Sequence, residues 1–381
     1  MSHKHPFGTP STSAIAFRGY NTKNLGRTPE LLRHPVFGGT VERYLAEASE
    51  VFSDTLNRRC DLVTRVREEQ ETTVETYAEA IALIIAMEIC QLELLRQFFG
   101  IEYRGARMSM GFSLGEVAAL CANGVFPWRQ GMQIPLSLAE DCAELADDTT
   151  LGVLFSRKPT LPADQVEKLC LRITSEGKGV VAVSAHLAPN TCLIIGQGNT
   201  LDRFRDLMKE YLPHKATLRK NTDIWPPLHT PIVWEKYIAE RCGFLLHTLP
   251  GGFLPPQPPI LSMVTGDFSY NDYNARRVIR EWTYKPQQVW SVVSRTLEIG
   301  IETVVHVGPQ PNILPSTYSR LGENVIQQMN SSLGTRTLSK VRPWLQGLLP
   351  KQTALLRAPM VQQIILEDWL LDSKATQDMN R

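Results

Sequence analysis

The stretch Met108-Ser109-Met110-Gly111-Phe112-Ser113-Leu114-Gly115-Glu116-Val117-Ala118-Ala119-Leu120 decides how this chain is read. Residues Gly105 to Met110 predict a short buried strand, and Glu116 onward predicts a helix. Between them lies Gly111-Phe112-Ser113-Leu114-Gly115, a Gly-x-Ser-x-Gly sequence. Strand, sharp turn and helix are the context that a nucleophile elbow needs. The glycines let the backbone turn tightly, and the turn lifts the Ser113 hydroxyl clear of the sheet. The helix behind it aims unpaired N–H groups at a developing oxyanion. The same pattern fits an ordinary strand-to-helix turn, so the rest of the chain must decide.

Working outward, 381 residues suffice for a large core and invite two structural units. Forty Lys plus Arg against thirty-nine Asp plus Glu leave a formal charge of +1, which gives no global case for nucleic acid or membrane binding. Seven cysteines, an odd number with no C-x-x-C pair, argue against a disulfide framework or a zinc site and fit a reducing, cytoplasmic setting. Met1 to Pro6 has no apolar core and does not read as a signal peptide. The apolar run Ala80 to Met87 is too short to span a bilayer.

Ala14 to Phe17 predicts a first strand, followed by the turn-rich loop Arg18 to Gly26. Helical patterns cover Val41 to Leu56 and Glu75 to Phe99, the second ending at a C-cap glycine, Gly100. Residues 57–72 are charge-rich and read as exposed. The segment 150–222 has the order βαββαβ, with strands at Leu151 to Ser156, Gly179 to Leu187, Thr191 to Gly196 and His214 to Leu218. That order predicts a ferredoxin-like subdomain inserted into a larger α/β body. Past it, a helix is expected from Val233 to Leu246, a buried strand at Ile260 to Val264, a helix at Trp290 to Ile299 and a strand at Thr303 to Val307. The body is therefore expected over 12–149 and 223–330, with a helical C-terminal extension over 331–381. In that extension Val341, Trp344, Leu345, Leu348 and Leu349 have helical spacing, as do Val361, Ile364, Ile365, Trp369 and Leu370 within Met360 to Leu371. Such helices pack on the body or form an interface for a partner subunit.

Four stretches in order resemble the malonyl-CoA:acyl-carrier-protein transacylases and the acyltransferase domains of fatty acid and polyketide synthases. They are the elbow at Ser113, Leu228-His229-Thr230-Pro231, the Val-Thr-Gly within Pro259 to Gly266, and His306-Val307-Gly308-Pro309. The resemblance covers about 12 to 330 and implies an α/β-hydrolase-like large subdomain with the ferredoxin-like unit inserted. It also implies a Ser113–His229 dyad, nucleophile and general base, with no metal. The oxyanion donors would be the backbone N–H groups of Leu114 and Tyr20. At that second donor the family's Gln side chain is lost, since Gly19-Tyr20-Asn21 stands where the family has Gly-Gln-Gly. Acyl-CoA would be the donor, and the phosphopantetheine arm of an acyl carrier protein the acceptor and partner.

Three departures bear on the acyl group. The family's carboxylate-clamping arginine aligns with Leu138, its histidine before the nucleophile with Phe112, and a pocket glutamine with Trp282. Burying a carboxylate without a cation costs several kcal/mol. A pocket lined by Phe112, Leu138 and Trp282 therefore favours a neutral acyl group over malonyl. The alternatives are a malonyl transacylase proper, an acyl-thioester hydrolase, or a non-catalytic docking homologue.

Overall fold

The computed structural model describes residues 5–157, 160–212, 216–333, 352–372 and 376. The chain opens with β1 (Ser13–Phe17), buried along its whole length, then α1 (Thr28–Arg33). Helix α2 (Gly38–Leu56) buries Val41, Leu45, Ala48 and Phe52, the face that the spacing predicted. The charge-rich stretch 57–72 is mostly exposed, as expected, but it also holds α3 (Leu62–Arg67), N-capped by Asp61, with Leu62 and Val66 buried. Two apolar residues one turn apart are enough to seat a short helix, and its charges face outward. Next comes α4 (Tyr77–Phe99), buried on nearly all sides and closed by Gly100 at φ 63°. A helix this apolar belongs inside a core.

The elbow follows: β2 (Met108–Gly111), then α5 (Leu114–Ala122). Helices α6 (Trp128–Leu136) and α7 (Ala139–Ala146) lead to the second layer. There the chain runs β3 (Thr149–Ser156), α8 (Ala163–Thr174), β4 (Val181–Ala188), β5 (Thr191–Gln197), α9 (Thr200–Tyr211) and β6 (Ala216–Lys220). These strands form an antiparallel sheet in the order β4-β5-β3-β6. Val166, Leu169 and Ile173 of α8 and Leu201, Phe204 and Met208 of α9 share an apolar cluster with Leu154, Ile194 and Leu218 of the sheet.

The chain returns through α10 (Ile238–Thr248), α11 (Ala275–Trp282), α12 (Val289–Glu298), β7 (Thr303–Val307) and α13 (Ile313–Leu333). A short α14 (Gln352–Leu355), β8 (Gln362–Ile365) and α15 (Leu366–Asp372) complete the described chain. The first sheet is parallel, in the order β2-β1-β7-β8.

Two expectations need correction. Met360 to Leu371 is not one helix: residues 362–365 pair with β7, and the helix starts only at Leu366. The apolar positions on either side of that junction mimic a helical period because a strand and a helix meet there. Ile260 to Val264 is not a strand. It makes one parallel bridge, Ser109 to Ile260, and then turns, with Ser262 accepting from the Gly266 N–H at 2.8 Å. Of the expected tail helices, Val341, Trp344, Leu345, Leu348 and Leu349 lie outside the described residues, as does His214.

Candidate active site

Ser113 sits at φ 53°, ψ −116°, between the end of β2 and the first residue of α5. A left-handed φ at a non-glycine residue costs of order 1–3 kcal/mol and persists where the surroundings enforce it. Two glycines make the turn possible. A Cβ on Gly111 would lie 2.1 Å from the Gly115 carbonyl, and one on Gly115 would lie 2.5 Å from the Phe17 oxygen. The elbow is packed backbone to backbone against β1, so no side chain fits at either position.

His229 also has a left-handed backbone, φ 66°, and its N–H donates to the Thr283 carbonyl at 2.7 Å. This places its Nε2 2.7 Å from the Ser113 Oγ. Its Nδ1 lies 2.8 Å from the Trp282 carbonyl oxygen. A carbonyl can only accept, so Nδ1 carries the proton and Nε2 presents its lone pair to the serine hydroxyl. Burial pushes the His229 pKa down to about 4, against the opposing pull of the Trp282 carbonyl. At neutral pH the imidazole is an uncharged base.

Trp282 does more than line a wall. It is 1% exposed, its Nε1–H donates to the Ser113 carbonyl at 2.8 Å, and its ring meets His229 edge-on at 5.5 Å. Gln287 completes the cluster. It is fully buried, its Oε1 accepts from the Ser113 N–H at 3.0 Å, and its Nε2 lies 3.2 Å from His229 Nδ1. Sequence reasoning aligned the family's pocket glutamine with Trp282 and did not single out Gln287, which only a polar Gln287-Gln288 pair just before a helix marks.

The other predicted positions distribute as follows. Leu114 opens α5, so its N–H is one of the helix's unpaired first-turn donors. The loop bearing Tyr20 presses on the elbow through Gly19, where a Cβ would stand 3.1 Å from that of Ser113. The Tyr20 ring packs edge-on against Tyr77 and Trp225. Phe112 is half-buried and lines a small cavity of about 10 Å³ together with Gly19 and His306. Leu138 is 2% exposed and part of the large core, at the N-cap of α7.

Two buried carboxylates support the elbow, and the sequence pattern did not single them out. Glu116, on the first turn of α5, accepts from the Met263 N–H at 2.8 Å, the Tyr270 hydroxyl at 2.9 Å and the Ser262 hydroxyl; burial pushes its pKa up to about 7. Glu88 accepts from the Arg18 N–H at 2.7 Å, just before Gly19. The Arg18 guanidinium in turn donates to the Pro309 and Gly19 carbonyls and to Asn24. Among the described residues, no group of three or more His, Cys, Asp or Glu side chains is placed to hold a metal ion. No described helix is long and apolar enough to cross a membrane.

No family model matches the chain. Among curated proteins, a 6-methylsalicylic acid synthase of Aspergillus niger is 23% identical over 247 residues, 63% of this chain. The chain spans only 12% of that relative's length. Among solved structures, an acyl carrier protein S-malonyltransferase from Vibrio cholerae superposes with a TM-score of 0.65 at 18% identity, covering 97% of this chain and 100% of that one. A malonyl-transacylase in complex with a type II polyketide synthase acyl-carrier protein gives a TM-score of 0.59 at 19% identity, covering 80% and 91%. With the elbow and the Ser113–His229 pair in these places, the chain has the α/β fold of the malonyl-CoA:acyl-carrier-protein transacylases and resembles that family and the acyltransferase regions of polyketide synthases.

Proposed function

We propose that the chain is an acyltransferase that moves an acyl group from a CoA or carrier-protein thioester to the phosphopantetheine thiol of an acyl carrier protein. One observation carries this reading: a neutral His229 whose Nε2 faces the Ser113 Oγ at 2.7 Å while a carbonyl holds its Nδ1–H. His229 takes the hydroxyl proton as Ser113 Oγ attacks the thioester carbon. A C–O bond forms, and the carbonyl electron pair moves to oxygen, where the Leu114 and Tyr20 N–H groups receive it. The C–S bond then breaks, and the leaving thiolate takes the proton from His229. In the second half His229 deprotonates the incoming thiol, which displaces Ser113 by the same steps in reverse. The reaction needs no redox change, no metal and no permanently bound cofactor.

The small antiparallel unit serves in this reading as the ferredoxin-like subdomain inserted in an α/β-hydrolase-like body, with body segments 12–149 and 223–330. The acyl group is neutral. Phe112 and Trp282 supply apolar surface beside Ser113, the buried Leu138 brings no cation, and a buried, unpaired carboxylate costs several kcal/mol. A cytoplasmic location fits seven free cysteines.

Intact-protein mass after brief incubation with acetyl-, longer acyl- and malonyl-CoA tests the reading, with Ser113→Ala as control. Adducts from neutral donors that vanish in the variant are the expected outcome. A malonyl adduct alone overturns the neutral-acyl assignment. Steady release of free acid, without transfer to a carrier protein, makes the protein a hydrolase.

A further inference from the structure

The segment from Trp282 to Gln287 grips Ser113 at both ends of its own peptide unit. Trp282 Nε1–H donates to the Ser113 carbonyl, and Gln287 Oε1 accepts from the Ser113 N–H. The serine's strained backbone is therefore held by a neighbouring segment and not by its own turn alone. Because the Ser113 N–H fixes the orientation of the Gln287 amide, the NH2 end faces His229 Nδ1 at 3.2 Å. That NH2 group has no lone pair to offer an imidazolium. It can only donate, so the proton on Nδ1 is left to the Trp282 carbonyl.

The backbone of Gln287 belongs to another layer. Its N–H donates to the Ser184 carbonyl at 2.9 Å, and its carbonyl accepts from the His186 N–H at 2.8 Å. These bonds form a parallel bridge to Ala185 of β4, the edge strand of the antiparallel sheet. We propose that Gln287 is a positioning residue that holds Ser113 and His229 in register and makes that register depend on how β4 is seated. Gln287 acts through the dyad, and the acyltransferase reading enters only in what the dyad is used for.

The test follows the rate at which a fluorophosphonate labels Ser113, measured across pH, which needs no acyl substrate. Among the described residues no charged side chain shifts His229; burial and the Trp282 carbonyl are the two influences on it. Gln287→Ala is expected to slow labelling by about 10–100-fold, the scale of a misplacement of about 1 Å. Gln287→Glu places a carboxylate opposite Nδ1–H, so the acid limb of the profile is expected to rise by at least about one pH unit. His186→Pro removes the β4 donor to the Gln287 carbonyl, on the side of the strand turned away from β5. It is expected to slow labelling by about threefold or more while the melting temperature stays close to that of the wild type. Wild-type labelling by Gln287→Ala, or an unmoved acid limb in Gln287→Glu, overturns the positioning role. An unchanged rate in a folded His186→Pro variant overturns the dependence on β4. Normal labelling without any acyl loading would instead sink the acyltransferase reading and leave this one standing.

Discussion

Every residue of β1, β2 and β7 in the parallel sheet is buried, whereas β6 at the edge of the antiparallel sheet buries only Leu218. These three strands are covered on both faces, as parallel strands generally are, and their sequences are mostly apolar. In the second, β3 is half-exposed at Thr150, Val153 and Phe155, while Leu154 packs with α8 and α9 and Leu151 joins the large core. The contrast separates two jobs. A layer that cannot yield on either side can hold Ser113 at a strained φ. The second layer reaches Ser113 and His229 through Gln287, whose backbone bridges to β4.

The comparison is easiest to break at the glycines. In Gly111→Ala the new Cβ meets backbone at 2.1 Å, and a loss of about 4 kcal/mol or more is expected by denaturant unfolding. In Gly152→Ala, on β3, the nearest atom is Leu218 Cδ1 at 2.8 Å, the far end of a side chain that can rotate, and under about 1 kcal/mol is expected. Equal losses would show that both sheets are equally rigid. Val305→Ala on β7, at a fully buried position, is expected to cost about 2–3 kcal/mol. Val153→Ala on β3, half-exposed, is expected to cost less than half of that.

The smallest effect is electrostatic. Glu367 accepts from the Arg27 and Gln310 N–H groups at 2.9 and 2.8 Å, yet burial outweighs them and lifts its pKa from 4.5 to about 7. A raised carboxyl binds its proton more tightly in the folded state. Its contribution to stability is therefore complete below pH 4.5 and is lost as pH rises through about 7. His229 has the opposite sign: with its pKa lowered from 6.5 to about 4, stability is lost as pH falls through that window. The melting-temperature difference between wild type and Glu367→Gln is thus expected to shift against the wild type as pH rises from 4.5 to 7. A difference that is flat across that range would show that Glu367 does not titrate there.

The elbow was legible because its demands are local. Gly111 and Gly115 flank a serine between an apolar strand and an apolar helix, and each residue type is dictated within a few positions. The βαββαβ order was legible from alternation and turn residues. What could not be read depended on partners far along the chain. Gln287 matters because it reaches Ser113, 174 positions away, and nothing nearby in sequence reveals that contact. Likewise Val361 to Ile365 reads as helix until β7 is known to have an open edge beside it. Leu138 shows the converse, since an alignment gave it a position in a pocket and the structure describes it as part of a packed core.

That open edge has a consequence for how the protein is made. Strands β1, β2 and β7 can assemble as soon as residue 307 has been synthesised, but β8 arrives only with residues 362–365. Until then β7 offers a row of unpaired backbone groups to any extended chain nearby, its own nascent copies included. When β8 docks, α15 follows it directly, and Arg27 of the N-terminal region reaches across to Asp368 and Asp372. Among the described strands β8 is therefore the last to reach the parallel sheet, and it moves the sheet's open edge from the fully buried β7 to a short, partly exposed strand.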